Sequence, residues 1–108
     1  MSEDYSGWKN YATWVTNLWL DNTQESQEYV SLMAKEAYTD AVADKYFTRE
    51  ERAYAQLADV LKEYHEENKP EIDGVYADLL NAAISDIDFY EIAQHYIDNL
   101  ESKVEREA

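Results

Sequence analysis

At 108 residues the chain can form one domain with a single core, burying about 65% of the surface its unfolded form exposes. Twenty-four acidic residues face nine basic ones, a formal net charge of −15. This argues against direct binding to nucleic acid or an anionic membrane, because phosphate contacts rest on Lys and Arg. Cysteine is absent, which excludes disulfides, thiolate metal sites and cysteine nucleophiles and is compatible with a reducing cytoplasm. No apolar run approaches the ~20 residues of a membrane span, and the acidic opening Met1-Ser-Glu-Asp4 does not read as a secretory signal.

Residues 1–9 read as a flexible arm, broken at Gly7, from which Trp8 can fold back. Asn10 is a good N-cap, since its side-chain oxygen can accept a free N–H of the first turn. Tyr11, Trp14, Val15, Leu18 and Trp19 then recur at helical spacing and predict a helix over Tyr11–Asp21. Its wide aromatic face is expected to nucleate the core, with this helix in the middle of the fold. Asn22-Thr-Gln-Glu25 has the form of a capping box and opens a second predicted helix, about Gln24 to Tyr46, with Val30, Ala34, Ala37 and Val42 on its apolar side.

Thr48-Arg-Glu-Glu51 is another such box and starts a third helix to about Glu67, with Leu57 and Leu61 inward. Pro70 stops it, because the residue before proline is steered out of the helical region. A fourth helix, about Val75 to Ile84, is expected to bury Val75, Leu79, Leu80, Ala83 and Ile84. Asp88-Phe-Tyr-Glu91 makes the last capping box, with Ile87 and Ile92 as a hydrophobic staple. The fifth helix runs from about Phe89 to Glu105 through Ile97 and Leu100, and residues 106–108 are expected to fray. Alternating strand patterns are absent, so the prediction is an all-α, single-domain bundle of about five helices. The expected core comprises Tyr11, Trp14, Leu18, Trp19, Leu57, Leu61, Leu80, Ile84, Ile97 and Leu100.

The opening pattern Trp8-x-Asn10-x-x-x-Trp14, followed by Asn17-Leu18-Trp19-Leu20-x-Asn22, resembles the signature of a family of small acidic, mostly uncharacterised proteins encoded by bacteriophages and other mobile elements. The likeness covers roughly the first quarter of the chain. It implies a mobile-element context and the cytoplasm of a bacterial host, and it carries over no mechanism and no functional residues.

Catalytic and metal patterns are weak. A di-iron carboxylate bundle wants Glu three residues before His on two helices, but Lys62 and Ile92 stand there. The zincin spacing fails as well, because Lys69 occupies the place of the second His after His65-Glu66. There is no Gly-rich phosphate loop and no nucleophile elbow. Paired carboxylates follow from composition alone and so point to nothing. The expectation is a protein without enzymatic activity, metal or cofactor.

What remains is charge geometry. Helical residues three or four apart lie about 5–6 Å from each other, a scale comparable with neighbouring phosphates of a nucleic-acid strand. Asp98, Glu101 and Glu105 form one such row; Glu63, Glu66, Glu67, Glu71 and Asp73 form a second group; Asp86, Asp88 and Glu91 form a third. Such rows are usually a solvated polar face, and halophilic adaptation would also raise acid content. Ten tyrosines and three tryptophans fit the latter poorly. The reading is therefore an acidic protein that binds a basic host partner, a nuclease or defence complex of the CRISPR type, and blocks its nucleic-acid site by charge mimicry. The alternative is an acidic helical interaction module without mimicry, which predicts an exposed aromatic groove.

Overall fold

The computed structural model describes residues 7–107, with side chains as far as Leu100. The expectations for residues 1–6 of the arm and for Ala108 lie outside the described residues. Helices α1 (Tyr11–Asn22), α2 (Gln24–Asp40), α3 (Arg49–Asn68), α4 (Val75–Ser85) and α5 (Phe89–Glu107) follow one another, with no strand among the described residues. This is the all-α bundle that the periodicity predicts. None of these helices is long and apolar enough to cross a membrane.

The core is made by α2, α3 and α5, which pack mutually, with α1 laid against α2 and α5. Leu57, Leu61, Ile92 and Ile97 are fully buried. Ala34, Ala37, Ala53 and Ala93 are buried too, and their small side chains let the three helix backbones approach. Leu100 is half-buried against this cluster. The tryptophan helix is thus on the flank and not in the middle.

Its rotation also differs from expectation. The buried stripe of α1 is Thr13, Asn17 and Leu20, whereas Tyr11 is 56% exposed, Trp19 68% exposed and Leu18 exposed; Trp14 is half-buried. Hydrogen bonds explain the choice of face. Asn10 caps α1 by accepting from Thr13 N–H at 2.9 Å and donates from Nδ2 to the Asp86 carbonyl at 2.8 Å. Thr13 Oγ1 accepts from Asp88 N–H at 2.8 Å. Asn17 Nδ2 donates to Asp21 at 3.0 Å, and the Asp21 carboxylate in turn accepts from the buried Tyr96 hydroxyl. A polar stripe is thereby held against α5, with Asn17 Oδ1 its buried atom without a hydrogen-bond partner among the described residues, and the aromatic stripe turns outward.

The capping boxes divide. At Thr48 the reciprocal pair is complete, with Glu51 N–H on Thr48 Oγ1 at 3.0 Å and Thr48 N–H on Glu51 Oε1 at 2.8 Å. At Asp88 only half forms: Asp88 Oδ1 accepts from Glu91 N–H, while the Glu91 carboxylate accepts from Lys9 N–H at 3.1 Å and so holds the chain just before α1. The box expected at Asn22 does not form. α1 runs through Asn22, Thr23 takes the cap position without a side-chain bond, and Ser26 Oγ donates back to the Leu20 carbonyl at 2.9 Å.

Two further expectations are corrected. α2 stops at Asp40 and not near Tyr46. Asp44 Oδ1 accepts from both Tyr46 N–H and Phe47 N–H at 2.8 Å, and this local side-chain pairing outcompetes the helix. Val42 is consequently exposed. On α4, no residue is buried: Val75 is 63% and Leu79 60% exposed, Ala83 is exposed, and Leu80 and Ile84 are only half-buried. The connection from α4 to α5 is pinned at Asp86 and Asp88 to the start of α1. α4 therefore lies beside α1, outside a core already filled by the other helices, and packs extensively against none of them.

Candidate interaction surface

The second acidic group is drawn together by the turn that ends α3. Asn68 Nδ2 donates to the Tyr64 carbonyl at 2.8 Å, and Lys69 is extended before Pro70. The chain then runs to Gly74, whose φ of +72° suits glycine and redirects it into α4. The result is a cleft of about 600 Å³ lined by Glu66, Glu67, Glu71 and Asp73, with Lys69 among them. Lys69 Nζ lies 3.5 Å from Glu66 and 3.3 Å from Asn81 Oδ1, so the lysine of this lining is paired with one of its four carboxylates. Glu63 is exposed one turn earlier on α3 and is not part of the cleft wall.

The other two groups are placed differently. Asp88 caps α5 and faces Lys9 Nζ at 3.7 Å, and Glu91 holds the Lys9 backbone; both carboxylates already bind the fold, while Asp86 is exposed. Asp98 accepts from the Tyr54 hydroxyl at 2.5 Å. Glu101 and Glu105 lie on the last turns of α5, beyond the described side chains. The ion pairs among the described side chains are Lys9–Asp88, Arg52–Asp44 and Lys69–Glu66, which leave the surface strongly anionic.

An apolar groove of about 340 Å³ continues from this cleft, sharing Lys69, Pro70 and Leu80 with it. One wall is Tyr11 and Val15 of α1; the other is Leu80, Ala83 and Ile84 of α4, closed by Ile87. At its far end it meets a third concavity through Val15, Thr16 and His65, on which Trp19 opens. Sequence reasoning missed this furrow because periodicity marks a face as apolar without saying what stands opposite it. The available signal was the segment Ile72 to Ile84, whose apolar residues outnumber what one inward stripe of a short helix can bury.

His65 borders the groove with its ring 5.4 Å from Phe89 and 5.7 Å from Tyr64. Its Nε2 is buried without a hydrogen-bond partner among the described residues, and burial lowers its pKa. His95 is exposed, edge-on to Trp8 at 5.3 Å. Tyr96 has its pKa raised by burial and by its bond to Asp21, which fixes it as a structural hydroxyl. Among the described residues no three His, Asp or Glu side chains are grouped as metal ligands would be.

The sequence as a whole matches one family model, over residues 1–104. The chain belongs to DUF7249, a family of unknown function. The DUF7249 match takes in α1 to α4 and most of α5, so that the acidic cleft and the apolar groove both lie within it. No curated protein and no solved structure matches.

Proposed function

We propose that this DUF7249 member is a non-enzymatic protein of a phage or other mobile element that acts in the cytoplasm of a bacterial host. It binds a basic host protein, a nucleic-acid-binding nuclease or defence complex, and covers that protein's nucleic-acid site with carboxylates. The observation that supports this reading is the cleft at the α3–α4 connection, where Glu66, Glu67, Glu71 and Asp73 share a concave wall with a single lysine. Carboxylates held this way can accept the Lys and Arg groups that otherwise contact phosphates. An interaction module without mimicry is the second reading, supported by the exposed aromatic and aliphatic side chains of α1 and α4.

The deciding experiment is competition on an isolated partner. Mimicry requires that nucleic acid and this protein displace each other, and that affinity falls as salt screens charges beyond about 8 Å at physiological ionic strength. Glu71→Lys with Asp73→Lys should slow association more than it changes stability, because exposed charges act on steering. A ternary complex with undiminished affinities would remove mimicry and leave the module reading.

A further inference from the structure

We propose that the furrow between α1 and α4 is the docking site for a cationic amphipathic helix of the partner protein. The apolar side chains of that helix enter the groove, and its Lys or Arg residues lie over the carboxylate cleft. The proposal rests on the reading that the partner is a basic protein, and it names the element by which that protein is held.

The groove itself calls for an apolar occupant. α4 is a helix of 11 residues that buries none of its own: Leu80, Ala83 and Ile84 form its groove wall, and Val75, Tyr76 and Leu79 are exposed outside that wall. Side chains of this kind, exposed together and rimmed by polar residues, mark interaction surfaces. Helices fill such grooves through anchors at positions i, i+3, i+4 and i+7.

Charge selects among occupants. The groove opens at one end onto Glu66, Glu67, Glu71 and Asp73 and, through the third concavity, approaches Glu25 at the other. A second copy of this chain would bring another net charge of −15 and, in a two-fold pairing, would set the same carboxylates near one another. The chain's own residues 1–6, Met-Ser-Glu-Asp-Tyr-Ser, carry two acids and no base. Nucleic acid and an anionic membrane are repelled for the same reason. A helix with one apolar and one basic face satisfies both halves of the furrow. Most of the discrimination against other helices then comes from charge, and most of the residence time from apolar contact.

The test uses the full chain and a synthetic peptide of about 14 residues made of Leu and Lys at helical spacing, with two controls: the same residues scrambled, and Leu with Glu. Binding is read by fluorescence anisotropy, and its place by amide chemical shifts. The expected result is binding of the Leu/Lys helix about tenfold or more tighter than of the scrambled peptide, no binding of the Leu/Glu helix, and shifts confined to α1, α4 and the α3–α4 connection. Ala83→Gln, on an exposed position of the groove wall, should weaken binding about tenfold. Glu71→Gln with Asp73→Asn should weaken it at low salt and flatten its salt dependence. Equal binding of helical and scrambled peptides, shifts centred elsewhere, or no effect of Ala83→Gln would overturn the proposal, as would a concentration-dependent dimer that Ala83→Gln dissolves. Failure here with nucleic-acid competition intact would remove the groove and keep mimicry. Specific peptide binding without such competition would remove mimicry and keep the groove.

Discussion

Two halves of this molecule spend similar side chains in opposite ways. In the α2–α3–α5 half, Leu57, Leu61, Ile92 and Ile97 are 0% exposed. In the α1–α4 half, equally apolar residues such as Leu18, Trp19, Val75 and Leu79 face outward, and the buried positions of α1 include Thr13 and Asn17. The first half is held by apolar area and the second chiefly by hydrogen bonds that tie Lys9, Asn10, Thr13 and Asn17 to the α4–α5 junction or to a partner on their own helix. The lesson is that hydropathy alone does not mark the interior. Leaving a buried polar group unpaired costs free energy, so a few well-placed polar residues can decide which way an amphipathic helix faces, even with Asn17 Oδ1 and His65 Nε2 buried without partners among the described residues.

The contrast can be broken by substitution. The largest effect is expected from Leu57→Ala or Leu61→Ala, each losing about 2–5 kcal/mol of unfolding free energy in urea titrations, from lost transfer energy and the cavity left behind. Thr13→Val is nearly isosteric and removes the acceptor for Asp88 N–H, so a loss of about 1–3 kcal/mol is expected from the unpaired group. A change near zero would mean that the polar stripe does not set the rotation of α1. Thr48→Ala, which dismantles the complete capping box, should cost about 1 kcal/mol by the same measurement. Trp19→Ala and Leu79→Ala should each change stability by less than about 0.5 kcal/mol. A loss there as large as for Leu57→Ala would abolish the distinction between the halves.

The subtlest test is pH. Burial lowers the pKa of His65 below its ordinary 6.5, so the unfolded chain takes up this proton first as pH falls. Its contribution to stability is intact above pH 6.5, declines as pH falls toward the lowered folded value, and is level below that. Melting temperatures of the parent and of His65→Gln, compared between about pH 7.5 and 5.5, should converge on acidification as the parent loses this advantage. Parallel curves would show that His65 is as solvated in the folded chain as in the unfolded one.

Much of the fold was legible locally. Helix period, Pro70, and the caps at Asn10, Thr48 and Asp88 each act within a few residues, so five helices and most of their bounds can be read off the chain. The end of α2 was legible in principle, since Asp44 sits two and three residues before the amides it binds, yet the apolar period over Ala41 and Val42 overrode that signal. The acidic group at Glu66 to Asp73 was visible because its members are neighbours along the chain. Its concavity was not.

The sequence by itself determined that this chain is helical, anionic, and divided into five segments, because propensity, capping and formal charge are properties of short stretches. Only the tertiary structure decided which apolar faces found neighbours. Asn10 and Thr13 meet Asp86 and Asp88 across more than seventy residues of chain. That meeting turns the tryptophan face of α1 outward and sets α4 beside it, so the groove exists only once the chain has closed on itself.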